Sequence, residues 1–188
     1  MGVRIVAGCA RNLELAAPPG TAVRPTAIRA RKALFDSLGA LTGLAVVDLF
    51  AGSGALGLES ASRGAASVRL VERAAEQWPY LERNIEAVRR TGAAAELRIV
   101  RGDVRETSLW GGQPSDLIFA DPPYADSAEY FSGLLASPGF RRAAAGARIV
   151  WEIPDTPGAA GRFLTAERAD FAIRAFGGTR FWIGRLAA

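Results

Sequence analysis

The chain has 188 residues, 49% hydrophobic and 22% charged, ordinary values for one globular domain able to bury a core unaided. A single cysteine, Cys9, and no histidine exclude an internal disulfide, argue against zinc or another metal, and remove the commonest general base near pH 7. The net charge of +4 is uneven: residues 1–42 hold six basic residues and two acids, whereas residues 43–188 hold 17 of each sign.

Such a basic segment on a neutral body is what contact with a phosphate backbone requires. No apolar run approaches the roughly 20 residues that span a bilayer, and Met1-Gly2-Val3-Arg4 does not begin a long apolar leader. The expectation is a soluble cytoplasmic protein of one domain, 1–188, with a basic extension over 1–42 and a catalytic core over 43–188.

In chain order, residues 3–7 and 12–16 read as short strands around the turn Gly8-Cys9-Ala10-Arg11, with Cys9 expected to pack as a small side chain. Pro18-Pro19-Gly20 ends this unit. Thr26 is placed to cap a helix to about Leu38, with Ile28, Lys32, Phe35 and Leu38 near helical spacing. From Leu44 the pattern changes to strands alternating with helices. Strands are expected over 45–50, 67–72, 97–101, 116–120 and 147–153, with helices over 55–62, 76–90 and 128–136 between them. This is the signature of an α/β doubly wound, mostly parallel sheet. Residues 171–176 and 180–186, joined by Gly177-Gly178, read as a closing antiparallel hairpin. That order resembles the Rossmann-like class I methyltransferase fold with a seven-stranded sheet. Phe176, Phe181 and Trp182 of the hairpin, with Trp78, Trp110 and Trp151, are read as packing residues.

Chemistry concentrates where strands end, as it does in open α/β sheets. The segment from Asp48 through Phe50, Gly52, Ser53 and Gly54 to Gly57 contains G-x-G-x-x-G between a strand and a helix, so backbone there passes close to a ligand. A carboxylate at Asp48 would repel a dinucleotide pyrophosphate but favour the sulfonium and ammonium of S-adenosyl-L-methionine. Glu72 ends the next strand and can accept ribose hydroxyls. Asp103 follows the third, placed to accept an adenine amino group with Val104 against the ring.

Asp121-Pro122-Pro123-Tyr124 follows the fourth strand. Two prolines fix the backbone and remove two donors, which leaves acceptors: the Asp121 carboxylate and the Pro122 carbonyl. An exocyclic amine is a poor nucleophile because its lone pair is delocalised into the ring. Two acceptors on its hydrogens favour a pyramidal nitrogen, and Tyr124 offers a face on which a planar base can stack, worth roughly 1–3 kcal/mol. The tetrapeptide alone does not separate guanine N2 from adenine N6 or a glutamine amide. An NAD-dependent oxidoreductase and a non-catalytic RNA-binding assembly factor are the readings from other classes.

At these residues the chain resembles the bacterial small-subunit (16S) rRNA guanine-N2 methyltransferases. The resemblance runs from Arg4-Ile5-Val6-Ala7-Gly8 through Val23-Arg24-Pro25-Thr26 and the helix from Arg29 to Phe35. It is densest from Asp48 to Glu59, continues over Ser62-Arg63-Gly64-Ala65 and closes at Asp121-Pro122-Pro123-Tyr124. Two places depart from the pattern: Arg11-Asn12-Leu13-Glu14, where one basic residue is missing and an acid is present, and Arg73 directly after Glu72. The resemblance implies S-adenosyl-L-methionine as cofactor, N2-methylguanosine in 16S rRNA as product and the partly assembled small-subunit ribonucleoprotein as substrate. It also implies RNA contact by Arg4, Arg11, Arg24 and Arg29, with Thr26 beside the cofactor. Size and fold class allow a monomer.

Overall fold

The structure, a computed structural model, describes residues 3–19, 25–106, 114–153 and 171–185, the side chains of residues 25–27 and 124 excepted. Arg24 and Trp110, and the side chains of Thr26 and Tyr124, therefore lie outside the described residues.

Strands β1 (Val3–Arg4) and β2 (Glu14–Leu15) pair antiparallel ahead of helix α1 (Pro25–Leu38). There follow β3 (Ala45–Asp48), α2 (Ala55–Ser62), β4 (Ser67–Glu72), α3 (Trp78–Arg90), β5 (Glu96–Arg101), β6 (Leu117–Ala120), α4 (Ser127–Ala136), α5 (Pro138–Ala143), β7 (Arg148–Ile153), β8 (Ala172–Phe176) and β9 (Thr179–Arg185). Among the described residues, seven strands form one sheet in the order β5-β4-β3-β6-β7-β9-β8. Pairs from β5 to β7 are parallel, and β9 lies antiparallel to both β7 and β8. The α/β class, the parallel core and the closing hairpin stand as the sequence predicts. Gly177 and Gly178 turn that hairpin with φ of 55° and 88°, the left-handed pair that a two-residue turn demands.

The chain leaves β3 toward one edge of the sheet and returns to β6 on the other side of β3, so β3 and β6 flank the switch point where such sheets bind ligands. Strand alternation divides the core between the two faces. Val46, Leu70 and Phe119 pack with Phe35 of α1, Leu58 of α2 and Leu81 of α3. Val47, Val71 and Ile118 pack with Phe131 of α4 and Phe140 of α5. No helix among the described residues is long and apolar enough to cross a membrane.

Local differences from the predicted elements have identifiable causes. Helix α1 begins at Pro25, so Thr26 is inside it rather than its cap; proline suits a first helical position. Its inner stripe is Ala30, Arg31, Leu34 and Phe35, while Lys32 is exposed. The apolar pair Leu34-Phe35 sets that face and carries a charged residue inward with it. Cys9 is exposed at the hairpin turn rather than packed. Helix α5 escapes the periodicity argument because it is six residues long; Ser137 starts it by accepting the Phe140 N–H.

Candidate active site

A cavity of about 430 Å³ opens at the carboxyl ends of β3, β4, β5 and β6, within the roughly 300–1,000 Å³ of small-molecule sites. Phe50, Gly52, Glu72, Asp103, Val104, Asp121, Pro122 and Pro123 line it. The structure thus brings together residues from four strand ends that are far apart in the sequence. Gly52 has φ of 51°, and a Cβ there would meet no protein atom within 4 Å. The space beside it is open to whatever the cavity holds.

The other residues of the glycine loop shape the wall from behind. Gly54, at φ 83°, precedes the first residue of α2, and a Cβ there would come within 2.8 Å of Leu58 and Leu81. A Cβ on Gly57 would collide with Leu70, so this glycine lets α2 lie close on β4. The Ser53 carbonyl accepts from Asn84 Nδ2 at 2.9 Å. Asp48 is 1% exposed, and its Oδ2 accepts the Gly57 N–H at 2.9 Å, an anchor for the first turn of α2. Its Oδ1 has no hydrogen-bond partner among the described residues. Burial first, and the nearby Glu72 charge, push Asp48 up to about 7 against the opposing Gly57 and Phe50 amides. Asp48, Ser53 and Gly54 therefore support the cavity and do not line it.

Glu72 does line it. Its Oε2 accepts the Gly52 N–H and its Oε1 the Ala74 N–H, each at 2.7 Å. Two backbone donors fix the carboxylate at the cavity's edge before any ligand arrives. Asp103 is bound differently. Arg105 donates to it from its backbone N–H, from Nε at 2.9 Å and from Nη2 at 2.8 Å, with Arg73 Nη1 at 3.4 Å. Arg105 above all holds the Asp103 carboxyl down at about 2. Arg73 also donates to the Tyr130 hydroxyl at 2.8 Å, and the Arg105 guanidinium sits 4.8 Å from the Tyr130 ring centre. Arg73 and Tyr130 are cavity residues that the sequence reading did not assign to the site. Tyr130 lies one turn into α4 with no motif to mark it; Arg73 was singled out only as a departure.

Asp121 is exposed to the cavity, yet protein crowds it on its other sides. That crowding, then the charges of Glu152 and Asp48, raise its pKa above the usual carboxylate range. Glu152 stands on β7, one residue past the Ala120–Trp151 pair that joins β6 to β7. Asp121 also lines a second cavity, of about 160 Å³, with Arg31, Leu56, Glu152, Thr179 and Phe181. It is the residue shared by the two cavities.

A family model described as conserved hypothetical protein 95 matches residues 3–145. The chain belongs to this family. A relative from Escherichia coli strain K12, "Ribosomal RNA small subunit methyltransferase D", is 34% identical over 123 residues, 65% of this chain and 60% of that protein. The match therefore spans less than two thirds of that relative's length. "Putative rRNA methyltransferase YlbH" from Bacillus subtilis is 32% identical over 131 residues, 66% of this chain and 68% of the relative. Among solved structures, "Putative methyltransferase yhhF" from Escherichia coli superposes with a TM-score of 0.75 at 26% identity, covering 100% of this chain and 99% of that one. The family resemblance read from the sequence stands.

The segment matched by the family takes in the N-terminal hairpin, whose anchorage is now visible. Glu59 of α2 is fully buried, and its oxygens accept the Val6 N–H at 2.6 Å, the Ala7 N–H at 3.0 Å and Arg63 Nε at 2.7 Å. Ser62 Oγ accepts the Ala10 N–H and donates to the Ala7 carbonyl. Gly8, at φ 82°, passes so close to Ser62 that no side chain fits. The hairpin is thus fastened to α2 through side chains. Arg4, Arg11 and Arg29 are exposed, Arg4 facing Glu14 at 3.9 Å. Arg31 is not part of a basic surface: it is 8% exposed and donates from Nη2 to the Arg4 carbonyl.

Proposed function

We propose that this protein is an S-adenosyl-L-methionine-dependent methyltransferase that acts on the N2 amine of a guanine in 16S rRNA. The observation that carries the reading is Asp121, shared between a cavity of cofactor size and a smaller one beside it. The names of the curated relatives, which include rRNA methyltransferases, support RNA as the substrate.

The larger cavity fits the cofactor. Among the described residues its wall carries Glu72, Asp103 and Asp121 with Arg73. Arg105 already pairs with Asp103, which leaves Glu72 and Asp121 as the acids that favour a sulfonium and an ammonium over a pyrophosphate. Glu72 suits the ribose hydroxyls, Phe50 and Val104 the faces of the adenine, and Gly52 leaves room for the methionine part. When bound, the cofactor supplies an electrophilic methyl carbon.

The chain's own contribution is to hold the amine. Asp121 and the Pro122 carbonyl accept its two hydrogens and keep its lone pair out of conjugation. The nitrogen becomes acidic on alkylation, so its surplus proton leaves without a histidine, with the Asp121 carboxylate the nearest acceptor. Positioning and exclusion of water account for the rate. Exposed Arg4, Arg11 and Arg29 would meet RNA phosphates.

Undermethylated small subunits incubated with methyl-labelled cofactor, followed by mapping of the labelled base, test enzyme, substrate and atom together. Label on another base would sink the guanine assignment. Asp121→Ala is expected to keep cofactor binding in calorimetry and to lose about 100-fold or more in kcat. Only the ionised carboxyl accepts both ways, so wild-type turnover rises with pH through the raised Asp121 pKa, and Asp121→Asn flattens that limb. Wild-type kcat in the alanine variant would overturn the role given to Asp121.

A further inference from the structure

The smaller cavity has a chemistry that the family resemblance does not explain. Acids stand on one side, Asp121 and Glu152, and Arg31 lines the same space with Thr179, Leu56 and Phe181. The Nε of Arg31 is buried with no hydrogen-bond partner among the described residues. Arg31 already donates from Nη2 to the Arg4 carbonyl, so Nε is the donor left over, and an unmet buried donor is costly. Leu56 and Phe181 add apolar lining, which suits the face of a planar ring, and the charged groups suit its edge.

Guanine's pairing edge presents N1–H and two N2–H donors side by side, with O6 as an acceptor next to them. Adenine presents an acceptor, N1, beside its amine. A carboxylate matches the first edge as a two-bond acceptor and repels the second. An arginine matches O6 and opposes an amine in its place.

Resting on the methyltransferase reading above, we propose that the smaller cavity is the guanine pocket, in which Glu152 reads the N1–H side of the base and Arg31 reads O6, leaving the N2 amine at Asp121. Glu152 and Arg31 are thus specificity residues, distinct from the tetrapeptide that holds the amine. An RNA base must leave its stack to enter such a site and is then read by its edge. The choice of guanine over other bases is made on β7 and α1, and the tetrapeptide can serve any amine delivered to it.

The test uses small-subunit particles reconstituted with guanine or 2-aminopurine at the methylated position. 2-Aminopurine keeps the N2 amine but lacks both N1–H and O6. A site built to hydrogen-bond a group rejects the analogue that lacks it. Wild-type protein is expected to prefer guanine by about 100-fold or more in kcat/KM. Glu152→Gln can donate to a bare N1, so it is expected to lose guanine activity and to narrow the preference at least tenfold, with cofactor binding in calorimetry unchanged. Arg31→Met is expected to narrow it through O6. Wild-type protein that uses both bases equally, or Glu152→Gln protein with the wild-type preference, would overturn the pocket assignment while leaving the enzyme reading intact. Wild-type protein that methylates no guanine would overturn both. If Glu152→Gln does not fold, the wild-type preference alone decides.

Discussion

Two buried carboxylates, Glu59 on helix α2 and Asp48 beneath that helix's first turn, are held in opposite ways. Glu59, toward the N-terminal hairpin, has both oxygens taken by two backbone donors and by Arg63. Asp48, toward the cavity, has one backbone donor, an oxygen without a partner among the described residues, and Glu72 for a charged neighbour. Burial is nearly the same, so it cannot be what separates them. The supply of donors decides. Where it is complete, a buried acid fastens two segments together. Where it is short, the acid becomes a group whose charge is costly and which titrates near neutrality.

Removing Glu59 should have the largest effect. Glu59→Ala leaves the Val6 and Ala7 amides without an acceptor and Arg63 with the longer Asp36 contact, and a loss of about 3–5 kcal/mol is expected in urea unfolding, with faster hydrogen exchange at Val6 and Ala7. A loss below about 1 kcal/mol would show that the hairpin is held some other way. Asp48→Asn sharpens the other half of the contrast through pH. Between the ordinary carboxyl value of 3.8 and about 7 the folded chain keeps a proton that the unfolded chain has released, so wild-type stability falls as pH rises through that window. The variant lacks this slope. The stability difference between the two should change by about 2–4 kcal/mol from pH 4 to pH 8, in favour of the variant at high pH. A constant difference would mean that Asp48 stays charged. The exposed Lys32–Asp36 pair, at 2.5 Å, sets the floor: Lys32→Ala should cost about 0.5 kcal/mol or less, falling further in salt.

The fold was legible because parallel strands covered on both faces are nearly continuous apolar runs, and glycines punctuate them. The wall of the larger cavity was legible for a related reason: the residues singled out there lie at or shortly past the carboxyl end of a strand, so strand and wall are read in one step. Tyr130, Arg31 and Glu152 were harder. Each enters its cavity from within an element, where periodicity marks only the apolar partners. Arg31 counted toward a basic surface, although α1 turns it inward beside Leu34 and Phe35. Glu152 was the clearest signal passed over, a single acid near the carboxyl end of Arg148-Ile149-Val150-Trp151-Glu152-Ile153. Asp48 shows the reverse case. The strand end was correct, but the pattern of residues does not show that its carboxyl turns back toward Gly57.

The two cavities also differ in when they can exist. The walls of the larger one are drawn from residues 49–130, whereas the smaller one joins residue 30 to residue 181. A chain emerging during synthesis would have the parts of the first long before the closing hairpin supplied the last wall of the second. Contacts between such distant segments form late and slowly. On the proposed reading, the capacity to hold a methyl donor arises early, and the choice of a base waits for β9 to take its place beside β7.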